Sequence, residues 1–312
     1  MRAPTLNSPA VAPEKPATAW VRGRLFRKYV GLFLAVVCIA LLTNGLSEIV
    51  FSFQEHKTSL IRIQREQAEA AAAKISQFIK EIESQVGWTT QLPWSAGTID
   101  QRRFDGLRLL RQVPAITELA QLDGAGIEQL KVSRLAMDTV ASKGDFSQEP
   151  QFTHAVANKV YYGPLYLLRS TPRMTIAVAG TRRDAGVSVA MVSLKLVWDI
   201  IRELKVGQHG IAYMLDGQNH VIAHSGIETY GRDAQGRVTV QVDLSLFQQD
   251  FSSLPHVKTA RAASAGGATR SGGQVANDMQ GREVLSAYAA IAPLGWLVFV
   301  EVPVDETDAL AQ

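Results

Sequence analysis

Signatures of catalysis are missing from this 312-residue chain. It has no Gly-x-Ser-x-Gly elbow, no P-loop and no glycine fingerprint for dinucleotides, so nothing argues for an enzyme acting in this chain. Cysteine is nearly absent too. Cys38 alone excludes an intrachain disulfide framework and a cysteine-rich zinc site, though it leaves the compartment open. Long apolar runs are equally scarce, and a single one excludes a multi-span membrane protein. Net charge is small at +3, and it sits in one place. Residues 1–28 hold six basic side chains against Glu14, a net +5; residues 29–312 keep 26 basic and 28 acidic, a net −2. The globular part therefore lacks the basic surface that nucleic-acid binding needs.

The single apolar run, 29–46, reads YVGLFLAVVCIALLTNGL and remains uncharged for 19 residues up to Ser47. As a helix it would rise about 28 Å, close to the ~30 Å hydrocarbon core. It is longer than a signal-peptide apolar region and no small-residue cleavage site follows, so an uncleaved transmembrane helix over 29–51 is expected. Arg22, Arg24, Arg27 and Lys28 flank it, which would hold the N-terminus in the cytoplasm and put residues 52–312 outside a bacterial plasma membrane. Residues 1–28 read as a disordered basic tail.

Residues 52–90 contain no proline and carry apolar side chains at 60, 63, 75, 78, 79, 82 and 86. That spacing predicts one long helix, a signalling rod through which a homodimer is expected to form; one stripe of it can pack along its own domain while another faces the partner. Strand patterns follow. Segments 116–122 and 127–134 flank Asp123-Gly124-Ala125-Gly126, a hairpin turn. Segment 160–166 is a strand with a bend at Pro164, and 174–180 with 187–194 form a second hairpin before a helix at 195–204. The pattern then recurs: a hairpin at 210–224, a flexible Gly/Ser/Ala loop at 260–273, and a closing hairpin at 283–302. Leu-Asp-Gly stands in both leading hairpins, at 122–124 and 215–217. A repeat of this length means duplicated modules, not a solenoid.

VYYGPLY at 160–166, MTIAVAG at 174–180, GIAYMLDGQNHVIAHS at 210–225 and GREVLSAYAAIAPLGWLVFVEVP at 281–303, in this order, resemble the double Cache, tandem PAS-like sensor regions of bacterial transmembrane receptors. The resemblance covers residues 30–305. It implies an α+β fold: one N-terminal transmembrane helix, a long extracytoplasmic helix, and two antiparallel-sheet modules, the membrane-distal at 91–204 and the membrane-proximal at 205–305. Family members are input halves of histidine kinases, chemoreceptors and nucleotide cyclases. A second span would follow the proximal module, where residues 306–312 stand. Two readings stay open: a fragment of such a receptor, which is preferred, or a stand-alone membrane-anchored binding protein.

Ligand pockets combine aromatic walls with a few placed polar groups. The distal half offers Tyr161, Tyr162, Tyr166, Arg169 and Arg173 within 13 residues, with Trp94 after the rod and Arg134 at a strand end. The equivalent stretch of the proximal half, 260–273, has no aromatic residue, so a small-molecule ligand is expected in the distal module. Amino-acid sensors of the family carry an aspartate near a strand end, where Met191 stands here, and an Arg-x-Trp-Tyr segment whose tryptophan 149–155 lacks. The resemblance therefore disfavours an amino-acid ligand. His220 and His224 fall on a strand, where positions four apart lie about 13 Å from each other, too far to share a metal. Neither metal nor cofactor is expected.

Overall fold

The computed structural model describes residues 24–305 apart from 92–93, 95–96, 183, 205, 208, 227, 233–237, 243 and 266–270. The chain divides into two units, Met1–Glu55 and His56–Gln312. Helix α1 (Arg24–Trp88) supplies the described residues of the first and enters the second.

The first unit corrects the sequence reading. Among the described residues no helix is long and apolar enough to cross a membrane. Within α1, Thr43 Oγ1 donates back to the Ile39 carbonyl at 2.7 Å. The expected transmembrane helix over 29–51, with the orientation derived from it, is not supported. The expected disordered tail at 1–28 lies outside the described residues up to 23, while 24–28 are already helical as the start of α1; the expected tail at 306–312 lies outside them.

In the second unit α1 packs along its own domain. Ala68, Ala71, Ala72, Ile75, Ile79, Ile82 and Val86 are all buried, and they recur at helical spacing on one face. Most of the apolar stripe proposed as a dimer seam is therefore used within the chain; only Ile63, 48% exposed, clearly faces out.

Helix α2 (Ile99–Gln112) starts where Thr98 caps the Gln101 N–H at 3.3 Å, satisfying a donor that the first turn would leave free. The first sheet then forms from β1 (Ile116–Leu122), β2 (Glu128–Ser133), β3 (Thr139–Val140), β4 (Val160–Tyr162), β5 (Tyr166–Leu168), β6 (Thr171–Ala179) and β7 (Val187–Ser193). Its order is β3-β2-β1-β7-β6-β4, with β5 also on β6. The expected strand at 160–166 is thus two short strands, parted around Pro164. Helix α3 (Pro150–Asn158) precedes β4, and α4 (Lys195–Glu203) leads to the second sheet.

That sheet holds β8 (Ile211–Leu215), β9 (Val221–His224), β12 (Ser271–Asn277), β13 (Glu283–Ile291) and β14 (Trp296–Pro303), in the order β12-β13-β14-β8-β9. A separate ribbon, β10 (Glu228–Arg232) and β11 (Val238–Val242), and helix α5 (Pro255–Ala265) lie between β9 and β12 in sequence. In both sheets the leading strand, β1 or β8, pairs with its hairpin mate and with the last strand of its module. The duplication is one of topology. It reaches the turns: Asp123 Oδ1 accepts from the Ala125 and Ile127 N–H groups (2.9 and 3.1 Å), and Asp216 Oδ1 from Gln218 and His220 (2.8 and 2.9 Å). This side-chain turn is what the repeated Leu-Asp-Gly encodes.

The supposed loop at 260–273 is a second correction: α5 runs to Ala265 and β12 starts at Ser271. Its described glycines, Gly272 and Gly273, serve close packing. A Cβ on Gly273 would stand 2.4 Å from Ile61 Cγ2 of α1.

Between the second sheet and α5 lies a buried polar cluster. Glu301 Oε1 accepts from the Tyr213 hydroxyl at 2.6 Å and the Ser286 hydroxyl at 3.0 Å, with His256 Nε2 at 3.0 Å. His224 stacks on Tyr213, with ring centroids 6.1 Å apart. Burial pushes its pKa down, and its Nδ1 accepts from the Gly226 N–H at 2.9 Å. The fold thus prefers the neutral ring, whereas an unfolded histidine titrates near ~6.5. Below about that pH the unfolded chain binds the extra proton, so stability falls as pH drops through ~6.5. Urea midpoints at about pH 7.5 and about pH 5.5 check this. The loss between them should be smaller in His224→Gln than in the parent chain.

Candidate functional site

Strand alternation sends Met174, Ile176 and Val178 of β6 to the α1 side and Arg173, Thr175 and Ala177 to the other. Register then arranges the second face in rows. Tyr166, Arg173 and Ser193 form one; Thr175, Met191 and Glu118 the next; Tyr161, Ala177, Val189, Ala120 and Lys131 a third. Apolar side chains, Ala177, Val189 and Ala120, occupy the middle of the third row, with Tyr161 and Lys131 at its ends. His154 of α3 stacks on Tyr161 at 5.5 Å.

Arg173 is the unusual member. It is only 7% exposed. Its Nη1 donates to Thr117 Oγ1 at 3.2 Å and lies 3.4 Å from Met191 Sδ, while its Nε is buried without a hydrogen-bond partner among the described residues. A buried guanidinium is costly unless its donors find an acceptor. Beside it, burial pushes the Tyr166 phenol up; the Arg173 guanidinium opposes this, the Glu118 carboxylate adds to it, and a hydrogen bond with Thr175 opposes it. Glu118 is held by Lys131 Nζ at 2.7 Å. The arrangement suits an acceptor-rich anionic group at Arg173 and an uncharged body over the apolar middle of the third row.

Four of the eight residues singled out from the sequence meet on this face: Tyr161, Tyr166, Arg173 and Met191. The other four serve elsewhere. Tyr162 points the opposite way from Tyr161, and its hydroxyl donates to Glu83 Oε2 of α1 at 2.5 Å; burial and that carboxylate push its pKa up. Trp94 donates from Nε1 to the Leu122 carbonyl at 3.3 Å and lies under the Arg102 guanidinium at 4.0 Å. Arg134 donates to the Leu110 carbonyl near the end of α2. Arg169, with Ser170, has a positive φ (51° and 59°) at the exposed β5–β6 turn, which matches a tight hairpin turn. Thr117, Glu118, Lys131 and Thr175 were missed. Thr175 alone carried a signal, two residues beyond Arg173 on a strand.

The family profile described as Cache domain, dCache_1, matches residues 53–311. A comparison with curated proteins finds no match. Among solved structures, the chain is similar to the sensory domain of the Campylobacter jejuni chemoreceptor Tlp3 (CcmL). Identity is 12%, 83% of this chain and 99% of that one are covered, and the TM-score is 0.60. The same domain with isoleucine bound gives 11% identity, 83% and 98% coverage, and a TM-score of 0.59. The extracellular domain of a candidate histidine kinase, mmHK1S-Z2, gives 11% identity, 80% and 98% coverage, and 0.61. At these identities the likeness is one of fold.

Proposed function

Since this chain belongs to the dCache_1 family of Cache domains, which are sensory and not catalytic, we propose that it is a receptor's input domain whose ligand is a small carboxylate held at Arg173. The observation that carries this is the buried guanidinium with an unsatisfied Nε, since arginine forks match carboxylates with two parallel bonds. A place outside the cytoplasm is part of this reading, and the similar domain described as extracellular supports it.

Tlp3 neighbours are described with isoleucine, L-valine and L-norvaline. An α-ammonium group needs a counter-charge. Here Met191 occupies the middle of the row beside Arg173, and Glu118 on that row is already paired with Lys131 at 2.7 Å. The reading therefore favours a carboxylate without an α-ammonium group. Thermal-shift measurements of the chain against short-chain mono- and dicarboxylates, with the common amino acids alongside, test it. A true ligand at 100 times its Kd adds about 2.7 kcal/mol of stability. A rise in Tm with a carboxylate is expected. Shifts with amino acids alone would overturn the ligand class, and no shift at all would overturn the site.

A further inference from the structure

The opposite side of the first sheet holds a second concavity. Between the last turns of α1, helix α2 and β1 lies a cleft of about 450 Å³, within the size range of small-molecule sites, ~300–1,000 Å³. Its floor is Gln121, 3% exposed. The Gln121 Nε2 donates to the Thr89 carbonyl at 3.4 Å, which fixes the amide's orientation and leaves Oε1 as a buried acceptor with no partner among the described residues. Such an atom carries a desolvation penalty that a ligand donor would relieve.

The walls supply the other half of a recognition pattern. Trp88, the final residue of α1, is 71% exposed and borders the cleft; a large indole face left in solvent beside a cavity is a natural stacking platform. Leu109 adds apolar surface. Arg102 and Arg108 face Asp105 alone among the cleft's charged groups, so the lining is net positive. Arg102 is 5% exposed and rests 4.0 Å over Trp94, which orients its guanidinium.

We propose that this cleft is a second ligand site, for an aromatic acid that carries a hydroxyl or N–H donor. The ring stacks on Trp88, the carboxylate meets the arginines of α2, and the donor reaches Gln121 Oε1. The proposal is independent of the ligand at Arg173, which lies on the other face of the sheet. It has a path to α1 all the same: Thr89, bonded to Gln121 through its carbonyl, donates from Oγ1 to the Val86 carbonyl of α1 at 2.7 Å.

The test is fluorine NMR of the chain labelled with fluorotryptophan, the Trp88 resonance being identified by Trp88→Phe. The probes are 4-hydroxybenzoate, benzoate (no hydroxyl donor) and phenol (no carboxylate). A saturable shift of the Trp88 resonance by 4-hydroxybenzoate is expected, with at least ~10-fold weaker effects from the other two. Arg108→Ala, at an exposed position, should weaken the response several-fold, whereas Arg173→Ala should leave it unchanged. No saturable shift by any probe would overturn the site. So would a response that survives Arg108→Ala but disappears in Arg173→Ala, which would put the acid on the opposite face.

Discussion

Glu301→Ala is expected to cost the fold about 3–5 kcal/mol, the largest stability change of any single substitution considered. One carboxyl oxygen serves the Tyr213 and Ser286 hydroxyls and His256 Nε2, at 2.6, 3.0 and 3.0 Å. Glu301 and His256 are each 2% exposed, so water cannot replace the lost acceptor. Each orphaned buried group costs ~1–3 kcal/mol, and a cavity adds to it. Glu301→Gln keeps an acceptor oxygen and should lose roughly half as much. Urea unfolding followed by circular dichroism reads both. A loss below ~1 kcal/mol for the alanine variant would show that the cluster rearranges around the gap. The cluster ties α5 to β8, β13 and β14, so the second module should loosen first.

The second large effect is on binding. Arg173→Ala should reduce affinity for the carboxylate found by thermal shift by ~10-fold to ~100-fold, about 1.4–2.8 kcal/mol. Arg173→Lys should not restore it, because an ammonium offers neither the planar fork nor the Nε donor. Arg169→Ala should behave like the parent chain, since that side chain stands at the exposed turn between β5 and β6. Isothermal titration measures all three. Equal loss in Arg169→Ala and Arg173→Ala would mean that the turn, and not the sheet face, holds the anion.

Much of this was legible in the sequence wherever local rules decide. The hairpins at Asp123 and Asp216 were, because an aspartate two residues before its donor makes the turn by itself. The α+β class and the duplicated sheets followed from those hairpins. The face of a side chain was harder to read. Tyr161 and Tyr162 are neighbours with opposite fates, and only the pairing of Tyr161 with Ala177 and of Tyr162 with Ile176 decides which one faces α1. Gly272 and Gly273 suggested flexibility, yet Gly273 is small because Ile61 of α1 needs the space. The run at 29–51 misled by composition: its residues belong to helix α1, yet among the described residues no helix is long and apolar enough to cross a membrane. Glu301 had one signal, a lone carboxylate within the apolar strand WLVFVEVP. Its partners come from the facing strand β13 and, far off in the chain, from α5 and β8.

The central claim is that Arg173 anchors the ligand of the first sheet. A crystal structure of the chain, saturated with the carboxylate that raises its Tm most, tests it most directly. The account expects ligand density with a carboxylate oxygen within hydrogen-bond distance of Arg173 Nε, its body lying toward Ala177 and Tyr161. A fully occupied ligand that makes no contact with Arg173 would contradict it.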